Sequence, residues 1–192
     1  VVWGGFGGQC SAKAVAAVLS GGVNPSGRLT ETFPLHLGDV PAEQGYRDSF
    51  VIKYSEGLNV GYRYFERCGK PVLFPFGYGL SYSEFAYSDL FIKVSGGEIL
   101  VSFSVENISR RDGKEVAQVY VGSSCKEYCS KELKGFEKIY LHANEKKKVT
   151  VRIEVDSFRH YTGGAWRHVS DEYTIYVCKN VNDVQLSAKI KI

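Results

Sequence analysis

Ile99-Leu100-Val101-Ser102-Phe103-Ser104-Val105-Glu106 is the stretch that decides the fold. Ile99, Val101, Phe103 and Val105 fall on one side of an extended chain, and Leu100, Ser102, Ser104 and Glu106 fall on the other. Successive side chains of a strand point to opposite faces, so this pattern predicts a strand with one face buried. The same period returns downstream. Val149, Val151, Ile153 and Val155 alternate with Thr150, Arg152, Glu154 and Asp156, and Tyr173, Ile175 and Val177 repeat it. Val116 to Gly122 sets Ala117, Val119 and Val121 on one face and Val116, Gln118 and Tyr120 on the other. Further strands are expected near Tyr87 to Val94, Lys138 to Leu141 and Val184 to Ile192. Asn107 to Lys114 and His142-Ala143-Asn144-Glu145 carry the turn residues between them.

About seven short strands at this spacing predict a small β-sandwich of the fibronectin type III or immunoglobulin class over residues 86–192. The Cys-Trp-Cys core pattern of true immunoglobulin domains is not there. Upstream the character differs. Val1-Val2-Trp3 reads as the end of a buried strand, Gly4 to Gly8 as a flexible turn and Ser11 as a helix N-cap. Ala12 to Leu19 then forms a helix that stops at Ser20-Gly21-Gly22. One such unit cannot close a core alone, so residues 1–34 are expected to be a partial α/β segment. Residues 35–85 hold no clean period and read as an irregular arm, with a short extended piece at Val60 to Phe65 and a shaped aromatic loop at Phe74 to Tyr82. The expected class is mainly β: a sandwich preceded by a partial α/β segment and an arm.

Composition narrows the function. The chain has 192 residues, 44% hydrophobic and 23% charged, which is ordinary for a globular protein. A compact body of this mass exposes roughly 9,000 Å². The net charge of +3 is too balanced to imply nucleic acid or an anionic membrane as partner. No run approaches the ~18 apolar residues of a membrane span. Lys146-Lys147-Lys148 is expected to be a solvated turn. The five cysteines, Cys10, Cys68, Cys125, Cys129 and Cys178, are odd in number and scattered; they read as free thiols, with one local Cys125–Cys129 disulfide as the alternative. The bias is toward a reducing compartment, the cytoplasm before a secreted or periplasmic site. The chain opens at Val1 and contains no Met, so its first residue is not expected to be the gene's first.

Four stretches line up with one family. Val23-Asn24-Pro25-Ser26-Gly27-Arg28-Leu29-Thr30-Glu31-Thr32-Phe33-Pro34, Glu56 to Phe65, Phe74 to Phe85 and Glu132-Leu133-Lys134-Gly135-Phe136-Glu137-Lys138 resemble, in order, motifs of the family 3 glycoside hydrolases, the β-glucosidase group. Thr30 stands where proline is usual. The resemblance covers the last strand and helix of an α/β sandwich domain (1–34), a linker arm (35–85) and a fibronectin type III-like domain (86–192). It implies a parent enzyme that removes terminal β-linked sugars with retention and needs no cofactor or metal. It also implies a (β/α)8 barrel and the rest of the α/β sandwich as partners, with a β-linked oligosaccharide or glucoside as substrate.

Retention takes two carboxyl groups about 5 Å apart across the sugar, one attacking and one protonating the leaving oxygen. No residue here matches either role, so no catalytic residue is expected in this chain. Glu56, Tyr62 and Arg63 are candidates for the substrate rim. For Glu56 the competing reading is structural, a carboxylate that holds Arg63 or nearby N–H groups. Trp3, Arg28, Phe76, Tyr78 and Tyr82 are candidates for a domain interface. His36, His142, His160 and His168 are too scattered to suggest a metal. A free-standing carbohydrate-binding or protein-interaction module is the alternative function; the arm argues against it, and Ile99 to Val155 shows no exposed aromatic platform.

Overall fold

The computed structural model describes residues 2–43, 50, 51, 54, 56–123, 125 and 131–192. Helix α1 (Ser11–Leu19) and strand β1 (Phe33–Pro34) come first. Helix α2 (Tyr62–Cys68) and strand β2 (Val72–Phe74) follow in the arm. The sandwich begins with β3 (Phe85–Ser95), β4 (Glu98–Asn107), β5 (Gly113–Ser123), β6 (Glu132–Leu141) and β7 (Lys146–Glu154). A short hairpin, β8 (Arg159–Thr162) and β9 (Ala165–His168), precedes β10 (Glu172–Asn180) and β11 (Asp183–Lys191).

Seven of these strands make the sandwich, ordered β11-β10-β5-β6 in one sheet and β3-β4-β7 in the other. The alternating positions do what their period demands. Ile99, Val101, Phe103 and Val105 are fully buried, and they meet Val149, Val151 and Ile153 of β7 and Ala117, Val119, Ile175 and Val177 of the opposite sheet. Gly135 is obligatory on β6, because a Cβ there would lie 2.6 Å from Val151 Cγ1. Lys146 to Lys148 form the start of β7 rather than a turn. β7 is an edge strand, and lysines there discourage pairing with a foreign strand.

The outer face of the four-stranded sheet departs from a half-buried strand. Tyr120, Gln118 and Cys178 point away from the sandwich core yet are buried, because the arm lies over them. Tyr62 stacks on Phe76 at 4.6 Å and meets the edge of Tyr120 at 6.1 Å. This cover explains why 62–68 is helical where the aromatic run suggested an extended piece. Gly61 (φ 60°) starts the turn, Gly69 (φ 61°) ends it, and in between Tyr62, Phe65 and Glu66 share one helix face. Tertiary packing outweighs the β-propensity of the tyrosines.

The N-terminal segment is different. None of residues 2–43 is buried, and Val2, Trp3, Phe6, Leu19 and Val23 are half or more exposed. Val2 and Trp3 belong to no strand, since no neighbouring strand among the described residues offers them a ladder. Ser11 is the first helical residue, not the cap; Cys10 occupies the cap without a side-chain bond. The chain exposes 12,064 Å², about a third more than the ~9,000 Å² of a compact body this size, and the uncovered N-terminal segment contributes to the excess.

Candidate functional site

Among the described residues, the most elaborate side-chain constellation is the seam where Asn24 to Leu29 and the arm meet the sandwich. Asn24 is its hub. Its Nδ2 donates to Ser83 Oγ and to the Asp112 carbonyl, each at 2.9 Å, while its Oδ1 accepts from the Ser81 hydroxyl (2.9 Å) and the Tyr82 N–H (2.8 Å). Four residues on, Arg28 reaches Glu115 at 2.9 Å, with side-chain exposures of 9% and 2%. The other Glu115 oxygen accepts from Tyr87 Oη at 3.2 Å. Burial, and then the Glu115 charge, hold the Tyr87 phenol well above its ordinary pKa, so it stays a donor. A buried pair without such extra bonds is costly, and this one is bonded on both oxygens.

Gln118 locks the aromatic loop. Its Nε2 donates to the carbonyls of Gly77 (3.1 Å) and Lys179 (2.6 Å), and its Oε1 accepts from Tyr120 Oη at 2.7 Å. Gly77 has φ 79°, and a Cβ there would lie 2.1 Å from Gln118 Oε1. The same loop exchanges backbone bonds with the N-terminal segment: the Leu29 N–H donates to the Tyr78 carbonyl and the Gly77 N–H to the Leu29 carbonyl, both at 2.8 Å.

The rim candidates divide. Tyr62 and Arg63 open α2; the Arg63 guanidinium lies 5.8 Å from the Tyr62 ring centre and 3.4 Å from Glu132. Tyr62 Oη accepts the Leu133 N–H at 2.9 Å. Burial pushes the Glu132 carboxyl up, but Lys134 at 2.8 Å and Arg63 outweigh it, leaving the group below its usual range. Glu56 sits half-buried in a turn at Glu56-Gly57-Leu58, and Glu132 is the carboxylate that takes Arg63. Of the interface candidates, Arg28, Phe76, Tyr78 and Tyr82 bind within this chain. Tyr78 stacks on Phe74 at 5.3 Å, and Tyr82 Oη donates to the Val18 carbonyl at 2.8 Å. Trp3 meets Phe33 edge-on at 5.4 Å and stays 66% exposed. Asp48, another acidic residue of the arm, lies outside the described residues.

Asn24, Glu115, Gln118 and Glu132 are the residues that sequence reasoning missed. Asn24 and Glu132 sit inside the family motifs. Gln118 and Glu115 carry a signal of their own, as polar residues set into a strand of valines.

The two best-formed clefts hold about 210 and 250 Å³, below the roughly 300–1,000 Å³ of small-molecule sites. No group of three His, Cys, Asp or Glu among the described residues is placed to hold a metal. Cys10, Cys68, Cys125 and Cys178 are free thiols; Cys129 lies outside the described residues.

Fold and seam define a class: a fibronectin-type sandwich carrying a stapled arm and one uncovered helical segment. Residues 1–82 match the glycosyl hydrolase family 3 C-terminal domain, and residues 115–181 match the fibronectin type III-like domain. The chain is 40% identical over 196 residues to thermostable beta-glucosidase B of Acetivibrio thermocellus, with 97% of the chain and 26% of that protein covered. It is 36% identical to an exo-alpha-(1->6)-L-arabinopyranosidase of Bifidobacterium breve, covering 92% of the chain and 24% of that protein. The solved beta-glucosidase of Kluyveromyces marxianus in complex with glucose superposes with a TM-score of 0.93 at 35% identity, over 97% of this chain and 23% of that one. The chain belongs to glycoside hydrolase family 3 and corresponds to the C-terminal part of its members. It spans about a quarter of the length of the curated relatives it matches.

Proposed function

We propose that this chain is the non-catalytic C-terminal part of a retaining, exo-acting β-glycosidase of the β-glucosidase type. The observation that carries the reading is the whole-chain superposition on beta-glucosidases, arm included, at a TM-score of 0.93. The chain's span of about a quarter of its relatives' length supports assigning the chemistry to the rest of the parent protein. In that parent, a barrel and the remainder of the α/β sandwich cover α1 and Trp3, and the substrate is a β-linked oligosaccharide or glucoside. The seam then acts mechanically, holding α2 so that Tyr62 and Arg63, with Glu56 in the turn before them, stand at the substrate rim. We place the parent's action in a reducing compartment, the cytoplasm before a secreted or periplasmic site, on the odd and scattered cysteines of the sequence.

The test is hydrolysis of p-nitrophenyl β-D-glucoside and a panel of other aryl β-glycosides, by the parent protein and by the 192-residue chain. The parent should turn over at least one of them with retained anomeric configuration by NMR, and the chain alone should turn over none. Turnover by the chain alone, or inversion by the parent, contradicts the reading.

A further inference from the structure

The hairpin β8–β9 carries a feature that neither the sandwich nor the seam uses. Among the described residues it pairs only with itself, in the register Arg159↔His168, His160↔Arg167, Tyr161↔Trp166 and Thr162↔Ala165. Gly163 and Gly164, at φ 58° and 78°, form the turn with no side chain between the strands' ends. Tyr161 and Trp166 are therefore direct cross-strand neighbours on one face. They stand 64% and 66% exposed, with ring centres 5.8 Å apart and planes at 68°. Two residues along on the same face stand Arg159 and His168, and Arg159 holds Asp156 at 2.9 Å with both side chains in solvent. Large aromatics gain most when buried, and an edge-to-face pair left open on a strand ribbon has a surface to offer.

We propose that Tyr161 and Trp166 form a sugar-binding platform for a β-linked oligosaccharide, with Arg159, Asp156 and His168 bonding its hydroxyls. One pyranose face presents C–H groups that suit an aromatic ring, while its edge presents hydroxyls that suit a planar, half-neutralised Arg–Asp pair. Area separates this occupant from a protein. The two rings offer roughly 200–300 Å². A stable protein interface takes about 800 Å² from each partner. The remaining hairpin side chains are Arg, His, Thr and Ala, which add little apolar area. The choice of a β-linked ligand rests on the function proposed above; the existence of the platform rests only on the hairpin.

Trp3 and Trp166 are the chain's two tryptophans, so Trp3→Phe leaves Trp166 as sole indole reporter. Cellohexaose titrated into this Trp3→Phe chain should give a saturable fluorescence change with a Kd on the order of 1 mM. Isothermal titration should show the unsubstituted chain binding equally well, and Tyr161→Ala or Trp166→Ala weakening binding at least ~10-fold, about 1.4 kcal/mol. Arg159→Ala should weaken it less. Unfolding midpoints of these variants should match that of the unsubstituted 192-residue chain, since neither ring belongs to the core. No saturable change at several times that Kd, or binding that survives both aromatic substitutions, overturns the platform. Tighter binding of maltohexaose than of cellohexaose contradicts a β-linked ligand. Hydrolysis by the parent protein is a separate readout, so a failed platform beside an active parent leaves the proposed function standing.

Discussion

The sandwich and the segment before it are built from equally apolar sequence, and only one of them buries it. Phe103, Ile99 and Val101 have no exposed surface, while Leu19 of α1 is 66% exposed and Phe6 is fully in solvent. Both regions follow their local pattern: α1 is helical as its composition demands, and β4 alternates as its period demands. The difference is that β4 finds β3, β7 and an opposing sheet within 192 residues, whereas α1 finds no sheet among the described residues. Local pattern writes the element; a core requires a second layer. The arm occupies the middle ground, irregular by pattern yet buried, because the sandwich's outer face supplies its partner.

The contrast breaks most visibly if matched truncations are made on each side. Phe103→Ala should cost about 3–5 kcal/mol in urea unfolding. Leu19→Ala should stay within about 0.5 kcal/mol, since its side chain already lies in water. Equal effects would mean that the N-terminal helix is covered after all. Next comes the seam. Arg28→Met leaves Glu115 buried without its partner and should cost about 3 kcal/mol. It should also open the arm to protease ahead of the sandwich. Gly77→Ala forces a Cβ against Gln118 at a left-handed φ and should cost about 1–3 kcal/mol. Gly27→Ala, with open space around it, should be near neutral.

Thiol chemistry sharpens the same contrast. Burial pushes the Cys178 thiol up to about 12, so iodoacetamide at mildly alkaline pH should label Cys10 and Cys68 and leave Cys178 until the chain unfolds. The smallest effect expected lies at the sandwich's end. The Tyr140 hydroxyl, then His142 and the Ala143 N–H, hold the exposed Asp112 carboxyl at about 2. A carboxyl depressed on folding contributes stability that is complete above its ordinary value near 3.8 and is lost as the pH falls toward 2. Asp112→Asn should flatten the unfolding midpoint over that interval and leave neutral pH almost unchanged.

The legible parts of this molecule are those where one strand declares its own face. Ile99 to Val105, Val149 to Ile153 and Tyr173 to Val177 can be placed from alternation alone. The arm cannot, because α2 is a helix only where Tyr120 and Phe76 receive Tyr62, and those contacts are far apart in sequence. Lys146 to Lys148 mislead for a related reason: a basic run reads as a turn until the edge of a sheet gives it a ladder. Of the site, Arg28 is legible as an ion-pair residue, but its partner Glu115 lies 87 positions on and has no local pattern pointing back. Proximity in sequence suggests Glu56 as a partner for Arg63, whereas helix geometry turns Arg63 toward Glu132 on β6.

Hydrogen exchange read by mass spectrometry tests most directly whether Asn24 to Leu29 and the arm from Tyr62 to Tyr82 form one unit with the sandwich while residues 2–20 do not. Amides of Leu29, Gly77 and Tyr82 should exchange with the slow class of β4 and β5, and those of α1 orders of magnitude faster. Exchange of the arm at the rate of α1, with the sandwich still protected, would contradict that division.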